Sequence, residues 1–168
     1  MTKSAETAHD LVVFGATSFV GQILTRYLLE TYGVGQSVKW AIAGRSESKL
    51  NTLKSSLGDK ARDLPVILAD AADDAALKSM CEQTRVIIST VGPYALYGEP
   101  LVKACVQTGT DYCDLTGEVQ WIRKMVERYE AEAKTSGARI VHCCGFDSIP
   151  SDMGVWFLQN QAEQTFGM

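Results

Sequence analysis

The chain has 168 residues, 46% of them hydrophobic and 21% charged, with a formal net charge of -4 and a pI near 5.2, which fits one globular domain with an ordinary core. No Lys/Arg block of five or more occurs, so the electrostatic footprint of a nucleic-acid or anionic-membrane partner is absent. The opening MTKSAETAHD lacks an apolar signal core, no run is long enough to span a bilayer, and five cysteines without CxxC spacing fit neither a disulfide framework nor a structural zinc site, so a cytoplasmic protein with reduced thiols and no metal is expected.

Residues 1–10 read as a disordered tail that includes His9, and the domain is expected over 11–168. The apolar run at 11–14 predicts a strand buried on both faces, and Val20, Ile23, Leu24, Tyr27 and Leu28 then recur at helical spacing up to Gly33. A strand over 38–43 and a helix over 47–57, ended by Gly58, come next. Strands over 65–69 and 85–90 flank a short helix over 74–81. Pro100 and Gly109 frame another helix by the usual placing of proline at a helix start and glycine past its end. A strand over 112–115 is followed by a helical face of Val119, Ile122, Met125, Val126 and Tyr129, and a sixth strand is expected over 138–143. Strands separated by helices must run parallel, so the fold class is α/β, a doubly wound, mostly parallel six-stranded sheet of Rossmann type.

In such a sheet the first strand-to-helix turn offers unpaired amides and the positive end of a helix dipole to an anion. Here that turn reads GATSFVG. Gly15 permits the sharp exit from the strand, Gly21 permits close packing of the helix on the sheet, and Ala16, Thr17, Ser18, Phe19 and Val20 lie between them, with the amides of residues 17–20 facing a pyrophosphate. The spacing is GxxGxxG with Ser18 in the middle, so the serine side chain either points away from the phosphate or donates its hydroxyl to it.

The end of strand two reads AGRSESKL. An NAD site carries an acid there for the ribose 2′-hydroxyl, whereas this chain has Gly44 and Arg45, with Ser46 and Lys49 close behind, which fits a 2′-phosphate and favours NADP(H) over NAD(H). Asp70 and Ala71 follow strand three, where Asp70 either accepts from the adenine amino group or caps the next helix. Thr90, Val91, Gly92, Pro93 and Tyr94 follow strand four on the nicotinamide side. Gly92 allows close backbone approach, Pro93 stiffens the loop, and Tyr94 either floors the nicotinamide pocket or covers the sheet edge.

Other chemistry finds little support. No tyrosine has a lysine four residues later, no GxSxG surrounds Ser148, and the adjacent Cys143 and Cys144 after His142 read as buried structural thiols on opposite faces of a strand.

The segments GATSFVGQIL, AGRSESKL, STVGPYALYGEPLVKACVQTGTDYCDLTGE and CCGFDSIPSD, in that order, resemble the NADP-binding domain of the saccharopine dehydrogenase-like oxidoreductases, including the trans-acting enoyl reductases. The resemblance covers the chain from residue 11 to about 158. It implies that Gly15, Ser18, Gly21, Arg45 and the loop from Thr90 to Tyr94 contact NADP(H), and it supplies no complete catalytic set. It also implies a following substrate and dimerisation domain, so the small-molecule substrate is expected to be held mainly outside these residues and the full-length protein to be a homodimer. The function expected is placement of NADP(H) for hydride transfer by an oxidoreductase. Two alternatives stay open: a non-catalytic NADP-sensing domain, and a semialdehyde dehydrogenase using Cys143 or Cys144 as nucleophile.

Overall fold

The computed structural model describes residues 7–167. Its strands are β1 (His9–Phe14), β2 (Trp40–Gly44), β3 (Val66–Leu68), β4 (Thr84–Ser89), β5 (Asp111–Asp114) and β6 (Ile140–Val141), all parallel in the order β3-β2-β1-β4-β5-β6. This is the doubly wound order, with the direction of winding reversing between β1 and β4. The helices are α1 (Phe19–Tyr32), α2 (Glu47–Ser56), α3 (Asp74–Glu82), the single-turn α4 (Tyr94–Tyr97), α5 (Glu99–Thr108), α6 (Val119–Ser136) and α7 (Ile149–Phe166).

Successive residues of a strand face opposite sides, and both sides of this sheet are covered. Val12, Phe14, Ile87 and Tyr112 pack with Leu77 of α3, Leu101 of α5 and Trp121 of α6. Val13 and Ile42 pack with Leu28 of α1 and Leu50 of α2 on the other side. Two buried layers against one sheet explain why β1 and β2 are apolar almost throughout.

Three expectations are corrected. Strand β1 begins at His9, because the His9 amide donates to the Gln83 carbonyl (3.1 Å) and Asp10 accepts from the Lys39 amide (2.9 Å) and pairs with Arg85 (3.2 Å). His9 and Asp10 are thus sheet residues, and residues 1–6 of the expected tail lie outside those described. The sixth strand is only Ile140–Val141. After it His142 turns to Asp114, and Cys143 takes a left-handed conformation (φ 62°). Cys144 is exposed and Cys143 half-buried, so neither is the buried strand thiol expected. Helix α7 buries none of its residues. Among the described residues, no helix is long and apolar enough to cross a membrane.

Candidate functional site

The carboxyl ends of β1, β2, β3 and β4 open onto a crevice of about 560 Å³, lined by Gly15, Thr17, Ser18, Gly44, Arg45, the run 69–72, Thr90, Val91, Gly92 and Tyr97, with Phe14 at its base. It lies at the point where the winding reverses, the general place for ligands in such sheets.

The turn from β1 to α1 is held from both sides. Gly15 adopts φ 85°, and its amide donates to the Ala43 carbonyl of β2 (2.9 Å). Gly21 sits so close to the preceding turn that a Cβ there would lie 2.3 Å from the Gly15 carbonyl oxygen. The Ser18 hydroxyl caps α1 by accepting from the Gly21 amide (3.0 Å), and it shares a hydrogen bond with the Thr90 hydroxyl (2.9 Å). With Thr90 donating to the Gly15 carbonyl (2.9 Å), the Ser18 proton goes to Thr90. The Ser18 hydroxyl proton is thus committed to Thr90, although Ser18 lines the crevice. The Ser18 amide is likewise taken by the Gly15 carbonyl (2.9 Å), whereas the amides of Thr17, Phe19 and Val20 have no protein partner among the described residues. Three free donors at the positive end of a helix, with glycines removing the obstructing Cβ atoms, fit a pyrophosphate. Ala16 is buried beneath the turn, and Phe19 and Val20 project into solvent, so these three offer no side chain to the crevice.

At the end of β2, Gly44 and Arg45 line the wall. The Arg45 side chain is exposed and makes no hydrogen bond or ion pair among the described residues, leaving its guanidinium available for an anion. Ser46 instead caps α2, accepting from the Lys49 amide (3.4 Å) and sharing a hydrogen bond with Ser48 (3.1 Å). Neither Ser46 nor Lys49 lines the crevice. Past β3, the cap of α3 is Asp73, which accepts from the amides of Ala75 and Ala76 (both 3.0 Å). Asp70 instead closes a small turn onto the Ala72 amide (2.9 Å) and lines the crevice beside Ala71.

Past β4, Thr90, Val91 and Gly92 form the wall, and the Gly92–Pro93 peptide is cis. Pro93 and Tyr94 lie off the wall. Of the two options for Tyr94, the geometry is that of a cover on the sheet edge: it is buried, donates its hydroxyl to the Ser89 carbonyl at the end of β4 (3.0 Å), accepts from the Leu115 amide just past β5 (3.4 Å) and packs against Trp121 with ring centroids 5.5 Å apart. Burial, helped by the nearby Asp114 and Glu118, pushes its phenol up to about 12 against the opposing Leu115 amide, so it stays neutral. Tyr97, one turn further on, holds the lining position. The sequence reading also missed Glu118. Because Pro93 cannot cap α4, the Glu118 carboxylate does so, accepting from the amides of Tyr94 (2.7 Å) and Ala95 (2.8 Å) and fixing the loop that carries the wall. Glu118 is remote in sequence from the helix it caps, and no local pattern announces it.

Beyond β4, Asp114 is buried and accepts four hydrogen bonds: from the Tyr112 hydroxyl (2.9 Å), the His142 Nδ1 (2.7 Å) and the amides of Thr116 and Cys143 (both 3.1 Å). Burial and the neighbouring Asp114 raise the Cys144 thiol, and burial pushes Cys113 up to about 12. Raised values disfavour the thiolate that a Cys144 nucleophile requires. No group of three or more metal-ligating side chains occurs among the described residues.

A family model described as saccharopine dehydrogenase NADP binding domain matches residues 11–141. The chain is 44% identical over 158 residues to the trans-acting enoyl reductase of Mycobacterium tuberculosis (strain H37Rv), covering 94% of this chain and 37% of that protein. It is 43% identical over 161 residues to that of Mycobacterium ulcerans, covering 96% of this chain and 38% of that protein. It therefore spans less than two-fifths of these relatives' length. Among solved structures it is similar to an apo saccharopine dehydrogenase (L-Glu forming) from Saccharomyces cerevisiae, with TM-score 0.66 and 22% identity over 83% of this chain and 28% of that one. It is also similar to an NADPH-dependent quinone oxidoreductase from Escherichia coli complexed with NADPH, with TM-score 0.54 and 19% identity over 79% of this chain and 47% of that one.

Proposed function

The chain belongs to the saccharopine dehydrogenase NADP-binding domain family, and from that premise we propose that it is the cofactor-holding part of an enoyl reductase. The free amides of Thr17, Phe19 and Val20 hold the pyrophosphate, Arg45 pairs with the 2′-phosphate, Asp70 and Ala71 border the adenine, and the wall from Thr90 to Gly92 carries the nicotinamide end. When bound, NADPH supplies the hydride for reduction of a polarised double bond. The chain's own residues would bind it and orient it.

The observation that carries the cofactor reading is the unpaired Arg45 on the crevice wall where an NAD site would place an acid. The relatives' names support an α,β-unsaturated acyl group as substrate. On this reading it is held mainly by polypeptide beyond these residues, in a homodimeric, cytoplasmic protein. The experiment is NADPH oxidation by the full-length protein with an enoyl thioester. Turnover well above background is expected, and none with any enoyl thioester, under conditions where NADPH binds, would remove this substrate class.

A further inference from the structure

We propose that His142 is the proton donor of this site and that Asp114 is its positioning residue, an inference that rests on the cofactor reading above. Three observations carry it. The first is placement. Asp114 is the register partner of Ser89, the last residue of β4 before the crevice wall, and Val141 is the partner of Cys113. With strands about 4.8 Å apart, the backbone of His142 lies about 10 Å from the end of β4, at the same carboxyl edge, on the side away from Arg45 and Asp70.

The second is the fixed tautomer. Asp114 is 2% exposed, and each of its other three partners is a donor, so the imidazole Nδ1 carries a proton and donates to it. The ring is held edge-on between Trp121 (centroids 5.0 Å) and Tyr112 (5.8 Å). The third is the free atom. Nε2 makes no hydrogen bond among the described residues, and it is not one of their sealed polar atoms, the side chain keeping 8% of its surface exposed. A carboxylate that orients one ring nitrogen while the other keeps some contact with solvent is the arrangement of an acid or base. On the crevice wall itself, a guanidinium such as that of Arg45 is a poor proton donor, Asp70 accepts from the Ala72 amide on the far side of β1, and the Tyr97 hydroxyl has no partner among the described residues to orient it.

Reduction of a polarised double bond adds a hydride to one atom and a proton to the other. Bound NADPH would supply the hydride and be oxidised to NADP⁺. The electron pair of the double bond moves to the neighbouring atom, which takes the proton from Nε2 of the imidazolium. The ring is left neutral with Nδ1–H still on Asp114, and water restores the proton.

The groups facing the ring are Asp114 and Tyr112 from β5 and the uncharged Trp121 from α6. The positive ring of NADP⁺, bound with its nicotinamide at this end of the edge, would repel a proton on His142, whereas NADPH would not. Like charges disfavour one another in a site of low effective dielectric, so the sign of this coupling is release of a fraction of a proton. The test is calorimetric titration of the chain with NADP⁺ and with NADPH at about pH 6.5, in two buffers of different ionisation enthalpy. Protons moved by the 2′-phosphate are common to both cofactors and cancel in the difference. NADP⁺ is expected to release a measurable fraction of a proton more than NADPH. His142→Asn, whose side-chain amide can still donate to Asp114, is expected to abolish that difference and leave NADPH affinity within about twofold. Nitrogen NMR is expected to show the Nδ1–H tautomer. No difference between the cofactors although both bind, a difference that survives in His142→Asn, or an Nε2–H tautomer overturns the proposal. Failure of both cofactors to bind overturns the cofactor reading and this inference with it.

Discussion

Replacing Gly21 by alanine tests the cradle with one added methyl group. The new Cβ would lie 2.3 Å from the Gly15 carbonyl oxygen, 2.8 Å from the Ala16 Cα and 2.9 Å from its carbonyl carbon, all backbone atoms that cannot rotate away. Restoring ordinary contact requires the start of α1 to move by about 1 Å, a backbone shift of the overpacking kind that costs about 1 to 3 kcal/mol. The same movement stretches the Ser18 cap on the Gly21 amide, now 3.0 Å, and the bond from the Thr25 hydroxyl to the Gly21 carbonyl, now 2.7 Å. Loss of the cap adds about 1 kcal/mol. For a chain of this length each kcal/mol lowers Tm by about 2 to 4 °C, so a fall of about 5 to 15 °C is expected. The amides of Phe19 and Val20 move with the helix, and NADPH affinity should drop at least about tenfold, or 1.4 kcal/mol. Thermal unfolding and a fluorescence titration of the same sample check both. An unchanged Tm with unchanged affinity would refute the claim that close approach at Gly21 shapes the site.

Ser18→Ala removes the helix cap and the partner of Thr90 without touching the free amides, so urea unfolding should show a loss of about 1 kcal/mol, and Ser18→Gly only a few tenths. Glu118→Ala leaves the amides of Tyr94 and Ala95 without an acceptor and should cost about 1 to 2 kcal/mol in the same assay, with Glu118→Gln recovering part through its one carbonyl oxygen. Burial raises Asp111 and Glu99, but the hydrogen bonds and charge of Arg139 on the first, and of Arg128 with the Tyr129 hydroxyl on the second, outweigh it and hold both below their ordinary values of 3.8 and 4.5. A carboxylate lowered on folding stabilises the fold above its unfolded value, and that contribution is lost as pH falls through the lower folded value. Tm should therefore decline below about pH 4.5, and Arg139→Ala should flatten part of that decline in a pH series of thermal melts.

Much of the fold is legible in the sequence because β1, β2 and β4 are buried on both faces and their apolar runs stand out between amphipathic helices. Gly15 and Gly21 are legible for the same reason: their spacing between a strand and a helix has one geometric purpose. What is not legible depends on contacts remote in sequence. Strand β6 is cut to two residues by Asp114, which draws in His142 and the Cys143 amide from 28 and 29 positions away. Tyr94 is drawn into the core by Trp121 and the Ser89 carbonyl, so the lining tyrosine is Tyr97 on the following turn. Ser46 and Lys49 sit where a 2′-phosphate reader could be expected. The serine is consumed as a helix cap, and only the arginine faces the crevice.

The central claim is that this chain distinguishes NADPH from NADH through Arg45, and a fluorescence titration of both cofactors at fixed ionic strength tests it most directly. The two cofactors differ only by the 2′-phosphate, and a charge-assisted hydrogen bond contributes about 1.5 to 3 kcal/mol, so the chain should bind NADPH about 10-fold to 100-fold more tightly. Arg45→Ala should remove most of that preference while changing NADH affinity by no more than about threefold, the part owed to stacking on adenine. Equal affinity for the two cofactors, or a preference for NADPH that persists undiminished in Arg45→Ala, would contradict it.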